Sequence, residues 1–153
     1  MEQAPLILLV DDDANDEELA RIALEDSQIP HRLVVVRDGA EALDWLSQHA
    51  PAGGAAEAIP HLVLLDLKLP KVNGLEVLDQ IRQVQRTRMV PVVVFTSSSE
   101  DRDLFEAYRR GANAYIRKPV DFHEYKALIV DVGAFWIRRN QTTDRDDEEF
   151  MAS

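Results

Sequence analysis

Side chains that can handle a phosphoryl group or a metal ion follow four apolar segments, at the point where each segment ends. Three aspartates at 11–13 follow LILLV, Asp66 follows HLVLL, Thr96 follows VPVVVF, and Lys118 lies just past AYI. Grouped carboxylates repel each other, and a hard cation with oxygen ligands, magnesium above all inside cells, relieves that repulsion. A lysine can hold one phosphoryl oxygen, and a threonine hydroxyl can donate a hydrogen bond to another. An aspartate in such surroundings can attack a phosphoryl group and carry it as an acyl phosphate.

Each of these residues taken alone also has a purely structural interpretation. The aspartates at 11–13 precede a helical pattern and fit a helix cap. Thr96 with Ser97 fits another cap, and Lys118 before Pro119 fits a turn. The order and position of the whole set favour one shared site over separate caps and turns.

Five short segments are predicted to be strands because they are nearly continuous in apolar residues. They are LILLV (6–10), RLVVV (32–36), HLVLL (61–65), VPVVVF (90–95) and AYI (114–116). Between them, apolar residues recur at helical spacing, most clearly in the last stretch, with Tyr125, Leu128, Ile129, Val132, Phe135 and Trp136. Five strand-helix repeats predict an α/β domain with a parallel sheet between two layers of helices. Ligands of such sheets bind beyond the carboxyl ends of the strands, where the polar residues stand.

The acidic composition excludes several classes of function. The 153 residues include 28 acidic and 17 basic side chains, and the net charge of −11 opposes binding to nucleic acid or to anionic membranes. The chain has no cysteine, and MEQAPLILLVDDD lacks the basic flank and apolar core of a signal peptide. No apolar run approaches the roughly 20 residues that cross a bilayer. We therefore expect a cytoplasmic protein without a membrane segment.

Two segments fall outside the predicted elements. APAGGAAEAIP at 50–60 is rich in small residues and is expected to be a mobile loop before the third strand. NQTTDRDDEEFMAS at 140–153 is polar and acidic and is expected to be disordered. Residues 5–139 are expected to form one domain, which leaves no room for a separate output domain.

With these motifs in place, the chain resembles the response-regulator receiver domains of two-component signalling. The resemblance covers residues 5–139 and rests on LLVDDD, LVLLDLKLPKVNG, VVVFTSS and YIRKP, which occur in the family's order and spacing. It implies a flavodoxin-like, doubly wound sheet of five parallel strands in the order 2-1-3-4-5, with five helices.

The resemblance also implies an acceptor and a metal site. Asp66 is implied to be the phosphoacceptor, and Asp11 and Asp12 to be the acidic pair that holds Mg²⁺. The backbone carbonyl of Lys68 is implied to complete the metal ligands of the protein, with Asp13 outside the pair as a capping residue.

Three further residues are implied to respond to the phosphoryl group. Thr96 is implied to donate a hydrogen bond to it, Lys118 to form an ion pair with it, and Tyr115 to be a rotameric switch. The Lys118–Pro119 bond is implied to be cis. The chain is then not an enzyme with a separate substrate but a phosphoacceptor that assists its own phosphorylation and dephosphorylation, read out through the surface of the fourth helix, fifth strand and fifth helix.

Within this family the chain is similar to the stand-alone response regulators that partner bacterial and cyanobacterial phytochromes. That similarity implies a sensor histidine kinase, here a bacteriophytochrome, as phosphoryl donor, and a homodimer. Two alternatives stay open at this point. LVDDDAN resembles the D-x-D-x-T motif of haloacid-dehalogenase-type phosphatases, although Asn15 replaces the threonine. The chain can also be a receiver-like adaptor that is never phosphorylated.

Overall fold

Five parallel strands form a single sheet in a computed structural model that describes residues 4–49, 59–143 and 151–152. The strands are β1 (Leu6–Val10), β2 (Arg32–Val36), β3 (Leu62–Leu65), β4 (Val92–Thr96) and β5 (Ala114–Arg117). They lie in the order β2-β1-β3-β4-β5, and every neighbouring pair is parallel. The predicted fold class and strand order are therefore confirmed, and the strands differ from the predicted segments only at their ends.

Five α-helices connect and follow the strands. They are α1 (Ala14–Asp26), α2 (Gly39–His49), α3 (Gly74–Gln83), α4 (Asp101–Arg109) and α5 (Phe122–Gly133). Side chains cap α1, α3 and α5, because Asp13, Asn73 and Asp121 each accept a hydrogen bond from an amide of the first turn. The N-cap residue of α4, Glu100, makes no such bond.

The last helix ends differently from the single regular helix that its apolar pattern predicts. After α5, residues Ala134–Arg139 continue as a π-helix, closed by a 2.7 Å hydrogen bond from the Asn140 amide to the Phe135 carbonyl. Trp136 packs against the core, whereas Phe135 stays 54% exposed. The aromatic pair, with ring centroids 4.9 Å apart, is thus divided between core and surface.

The sheet has an apolar core on each face. Alternate residues of β1, β3 and β4 pack against α2 and α3 on one side and against α1 and α5 on the other, as their period-two pattern requires. The helix α4 covers less of the sheet, and Ala107 is its only buried residue. Four of its nine side chains are apolar or aromatic, yet Leu104, Phe105 and Tyr108 are exposed.

Two sequence predictions lie largely outside the described residues. The segment predicted to be a mobile loop spans 50–60, of which only Ile59 and Pro60 are described, and Ile59 is buried. Most of the acidic segment at 140–153 is likewise not described, and its predicted disorder stays a prediction. Within the described ranges, no helix has the length and apolar character needed to span a membrane.

Candidate functional site

Backbone hydrogen bonds extend the sheet to the polar residues at its carboxyl edge. The Asp11 amide donates to the Val36 carbonyl at 3.1 Å, and the Asp66 amide donates to the Val10 carbonyl at 3.0 Å. On the other side, the Lys118 amide donates to the Thr96 carbonyl at 2.8 Å. These residues are therefore held as rigidly as the strands themselves.

The Asp66 carboxylate is held by three donors. Its Oδ1 accepts hydrogen bonds from the Thr96 hydroxyl at 2.9 Å and from the Lys68 amide at 3.2 Å. Its Oδ2 accepts one from the Lys118 ammonium at 3.0 Å. Asp66 is only 6% exposed and Thr96 is fully buried, so this hydrogen bond is shielded from competition by water. Sequence analysis predicted all of these side chains at the site, and the structure brings them together.

The Lys118 ammonium contacts three carboxylates at once. In addition to Asp66, it lies 2.8 Å from Asp11 Oδ2 and 2.7 Å from Asp16 Oδ2. Asp16 was not predicted. It lies in the first turn of α1, and helical side chains lean toward the N-terminus, so an acid at this position points back to the sheet edge. That geometry is the signal that identifies it.

The pKa values of Asp11 and Lys118 are both raised, for different reasons. Burial raises the pKa of Asp11 to about 6, although the nearby Lys118 ammonium opposes that rise. Burial by itself lowers the pKa of Lys118, but attraction to Asp11 and Asp66 outweighs it and raises the pKa overall. Lys118 is therefore a permanent cation at this edge.

Three carboxylates converge in a geometry that suits a metal ion. One oxygen each from Asp11, Asp12 and Asp66 lies within 4.8 Å of the others. Asp12 is exposed while the other two are buried, so the group opens to solvent on one side. An all-oxygen, acidic donor set fits Mg²⁺ or a similar hard divalent cation. The predicted role of the Lys68 carbonyl as a further ligand stays a prediction.

The turn after Asp66 brings the start of α3 directly against the backbone of Asp66. The Gly74 amide donates to the Leu67 carbonyl at 2.9 Å, and a Cβ at Gly74 would collide with the backbone of Asp66 and Leu67. Lys71, in the same turn, has a φ of +69°. The LPKVNG segment thus reverses the chain so tightly that only glycine fits at position 74, against the backbone of Asp66.

Tyr115, the predicted switch, lies beneath α4. Its ring packs beside Leu67 and Ala107, and its hydroxyl is buried near Ser98 without a hydrogen bond of good geometry. Burial raises the pKa of this phenol. The hydroxyl is already buried in this structure. The predicted rotation of the Tyr115 ring on phosphorylation stays a prediction.

The prediction of a cis bond before Pro119 is wrong for this structure. No cis peptide bond occurs in the part of the chain that is described. Trans is the favoured isomer of an X–Pro bond by about 0.5–1 kcal/mol. With the trans bond, Lys118 keeps its amide contact to Thr96 and still reaches all three acids.

Comparison with known protein families shows which family the chain belongs to. Residues 7–130 match the model described as the response regulator receiver domain. The chain belongs to the response regulator receiver domain family. Receiver domains are components of two-component systems, and the predicted family is confirmed. The match covers the four segments that carry the site.

Two relatives are similar to this chain over most of their length. The chain is 40% identical over 137 residues to the probable methanogenesis regulatory protein FilR2 of Methanothrix harundinacea, covering 90% of this chain and 86% of that protein. It is 35% identical over 132 residues to the response regulator Rcp1 of Synechocystis, covering 86% and 88%.

Solved structures of similar receivers include several phytochrome response regulators. The Mn²⁺-bound form of Rcp1 superposes with a TM-score of 0.81 at 33% identity, covering 91% of this chain and 99% of that one. The phosphorylated cyanobacterial phytochrome response regulator RcpA gives 0.82 at 35% identity, covering 92% and 99%. The bacteriophytochrome response regulator AtBRR gives 0.65 at 46% identity, covering 92% and 100%. The predicted resemblance to phytochrome response regulators is confirmed.

Proposed function

We propose that this receiver accepts a phosphoryl group on Asp66 from a sensor histidine kinase. The observation that carries the proposal is the immobilised Asp66 carboxylate, which Thr96 and Lys118 hold at a sheet edge beside two further acids. The phosphorylated state of the similar regulator RcpA supports it.

The transfer itself requires little chemistry from the protein beyond positioning and charge. One carboxylate oxygen of Asp66 bonds to phosphorus while the bond from phosphorus to the imidazole nitrogen of a phosphohistidine breaks, and that nitrogen keeps the electron pair. Lys118 and Thr96 are placed to stabilise the negative charge on the transferred oxygens. The product is an acyl phosphate on Asp66.

The acidic edge is the proposed metal site. Asp11, Asp12 and Asp66 would hold Mg²⁺, with the Lys68 carbonyl as a further ligand. A bound divalent cation supplies charge neutralisation for the acids and for the phosphoryl oxygens. The Mn²⁺ in the similar structure of Rcp1 supports a divalent cation here.

A light-regulated kinase is the donor that we propose within this class. RcpA is a cyanobacterial phytochrome response regulator and AtBRR a bacteriophytochrome response regulator, and this chain covers nearly the whole of both structures. The relative FilR2 is a probable methanogenesis regulatory protein, so the receiver family alone does not specify the kinase. We place the protein in the cytoplasm, where such kinases present their phosphohistidine.

The proposed output is a change in the surface formed by α4, β5 and α5. Moving a two-state switch from 1:99 to 99:1 requires about 5.5 kcal/mol, and one exposed ion pair contributes about 0–1 kcal/mol. Several partly buried contacts must therefore change together. Exposed Phe105 and Tyr108 on α4 give this surface the apolar character of an interface, which supports a homodimer formed there.

The proposal is tested by phosphoryl transfer from a purified, autophosphorylated bacteriophytochrome kinase carrying ³²P. We expect the label to move to the wild-type chain and to Asp44→Asn, a control acid exposed on α2, but not to Asp66→Asn. EDTA should stop the transfer. No transfer from several kinases to a folded wild-type chain would favour the adaptor, and turnover of a phosphomonoester would favour the phosphatase.

A further inference from the structure

The helix α4 is attached to the rest of the domain mainly at its two ends. Ala107 is its only buried residue, so apolar packing contributes little along its length. At the C-terminal end, Arg110 donates to Asp79 of α3 at 2.8 Å and to Glu106 at 3.1 Å. The contacts at the N-terminal end therefore decide whether the first turn of α4 stays in place.

The N-terminal end of α4 depends on Asp103 instead of an ordinary cap. The side chain of Glu100, the N-cap residue, caps nothing, and its amide donates to the Ser98 hydroxyl at 3.3 Å. That hydroxyl donates in turn to Asp103 Oδ2 at 2.6 Å. The same oxygen lies 3.4 Å from the Lys68 ammonium. Asp103 thus joins α4 to two loops of the site.

Both partners of Asp103 are adjacent to the acceptor carboxylate. The Lys68 amide donates to Asp66 Oδ1, and the Ser98 amide donates at 3.3 Å to the Thr96 hydroxyl, which itself donates to Asp66 Oδ1. Two short paths therefore run from Asp66 to Asp103. Asp103 itself does not touch Asp66.

We propose that Asp103 is a positioning residue that makes the first turn of α4 respond to the state of Asp66. The inference rests on the proposed phosphorylation of Asp66. The acyl phosphate carries about −1.5 to −2 charges at pH 7, where the free carboxylate carried one, and it brings new acceptor oxygens. It attracts the Lys68 ammonium away from Asp103 and draws the Thr96 hydroxyl, which shifts the Ser98 contact. The α4 start then loses both attachments while Arg110 still holds its end.

Two neighbouring acids allow a matched comparison. Asp101 and Asp103 both lie in the first turn of α4 and both favour the positive end of the helix dipole. Asp101 is exposed, whereas the Asp103 side chain is 14% exposed and bonded as described. Asp101→Asn removes only the dipole contribution. Asp103→Ala removes the attachment as well, and Asp103→Asn keeps an acceptor for Ser98 without the charge for Lys68.

The experiment is hydrogen exchange of the α4 first-turn amides, with and without acetyl phosphate and Mg²⁺, and with labelling measured by intact mass. We expect phosphorylation to speed this exchange about tenfold in wild type and in Asp101→Asn, as loss of about one hydrogen bond to a charged group implies. In Asp103→Ala the exchange should already be fast without a phosphoryl group and should change little on labelling. Asp103→Asn should lie between. Unchanged exchange in the five strands checks that each variant is folded.

Two results would overturn the proposal. One is slow, wild-type exchange of α4 in unphosphorylated Asp103→Ala, and the other is fully labelled wild type with unchanged exchange in α4. A wild-type protein that takes no phosphoryl group contradicts the proposed function instead. The comparison of Asp103→Ala with wild type without donor then still decides whether Asp103 holds α4 in place.

Discussion

Asp66 combines a buried position with a full set of charged neighbours. Asp11, Asp12 and Lys118 lie within a few ångströms of it, and burial raises the pKa of the Asp11 carboxyl to about 6. The free-energy cost of burying the Asp66 carboxylate is offset by Lys118 and by the hydrogen bonds from Thr96 and Lys68. Repulsion among the carboxylates of the site should change when a cation or a phosphoryl group binds. Substitution of a single residue here should therefore have a measurable effect on phosphorylation or on metal binding.

Thr96 is expected to speed phosphorylation of Asp66 without being essential for it. Thr96→Ala should still accept a phosphoryl group on Asp66, but about tenfold more slowly, because one hydrogen-bond donor to the transferred group is lost. Thr96→Ser keeps the hydroxyl and should react at close to the wild-type rate. Labelling with acetyl phosphate over time, measured by mass spectrometry, gives the rates. Complete loss of labelling in a folded Thr96→Ala protein would show that its role is different.

The second prediction concerns the metal. Binding of Mg²⁺ to the folded state alone should stabilise the protein by about 2.7 kcal/mol when the ion is present at 100 times its dissociation constant. The gain should be largely lost in Asp12→Asn and kept in Asp44→Asn, an exposed acid remote from the site. Thermal unfolding with and without MgCl₂, at constant ionic strength, measures it. Equal gains in both variants would place the ion elsewhere.

Most residues of the site could be predicted from the sequence because they stand at the ends of predicted strands. Asp11, Asp66 and Lys118 directly follow strands and Thr96 ends one, so parallel topology alone puts them at one edge. Asp16 could have been identified from its position in the first turn of α1, whereas the contacts of Asp103 depend on how α4 tilts over the sheet. Local sequence does not contain that information.

At the scale of elements, the strands and helix faces followed from their hydrophobic patterns. The residues predicted for β1 and β3 are buried on both sides, as the continuous apolar runs indicate. The change from α-helix to π-helix at Ala134 did not follow, because the apolar spacing continues unchanged across it. The isomer of the Lys118–Pro119 bond likewise depends on its surroundings, which the motif does not specify.

Arg82 connects α3 to the loops that precede β4 and β5. Its guanidinium donates to the carbonyl oxygens of Arg88 at 2.9 Å, Val90 at 2.7 Å and Gly111 at 2.9 Å. A fourth bond runs to Asn113 Oδ1 at 2.8 Å. Burial lowers the pKa of Arg82, yet the side chain stays charged because its ordinary value is so high. One planar side chain therefore satisfies backbone groups from two separate loops.

The prediction at this scale is that Arg82→Gln lowers the free energy of unfolding by about 2 kcal/mol, since several charge-assisted hydrogen bonds are lost and carbonyls are left without partners. Arg82→Lys should recover little, because an ammonium cannot reach all four acceptors. Urea unfolding measures both. Arg102→Gln, an exposed change on α4, should alter stability by less than about 0.5 kcal/mol. Equal effects at 82 and 102 would contradict this account.

At the scale of the whole molecule, a strongly acidic chain also exposes apolar side chains on α4. The net charge is −11 and the acidic site occupies one edge of the sheet, whereas exposed Leu104, Phe105 and Tyr108 lie on α4. Excess negative charge opposes self-association in general, so a dimer must use a defined patch. The face of α4 is the patch that we propose.

The prediction at this scale is a dimer that depends on Phe105. Phe105→Ser should weaken dimerisation of the phosphorylated protein at least tenfold, as expected when a central aromatic anchor is truncated. Met89→Ser changes an exposed apolar residue in the loop before β4, outside the proposed surface, so it should leave dimerisation unchanged and serves as the control. Sedimentation equilibrium measures both. Wild-type protein that stays monomeric at high concentration, with and without a phosphoryl group, would remove the dimer from the proposal.

The central claim is that Asp66 carries the phosphoryl group, and intact mass after incubation with acetyl phosphate and Mg²⁺ tests it most directly. We predict a gain of one phosphoryl group in the wild-type chain, with no gain in Asp66→Asn and no gain in EDTA. A gain of the same size in Asp66→Asn, or in wild type without a divalent cation, would contradict the account.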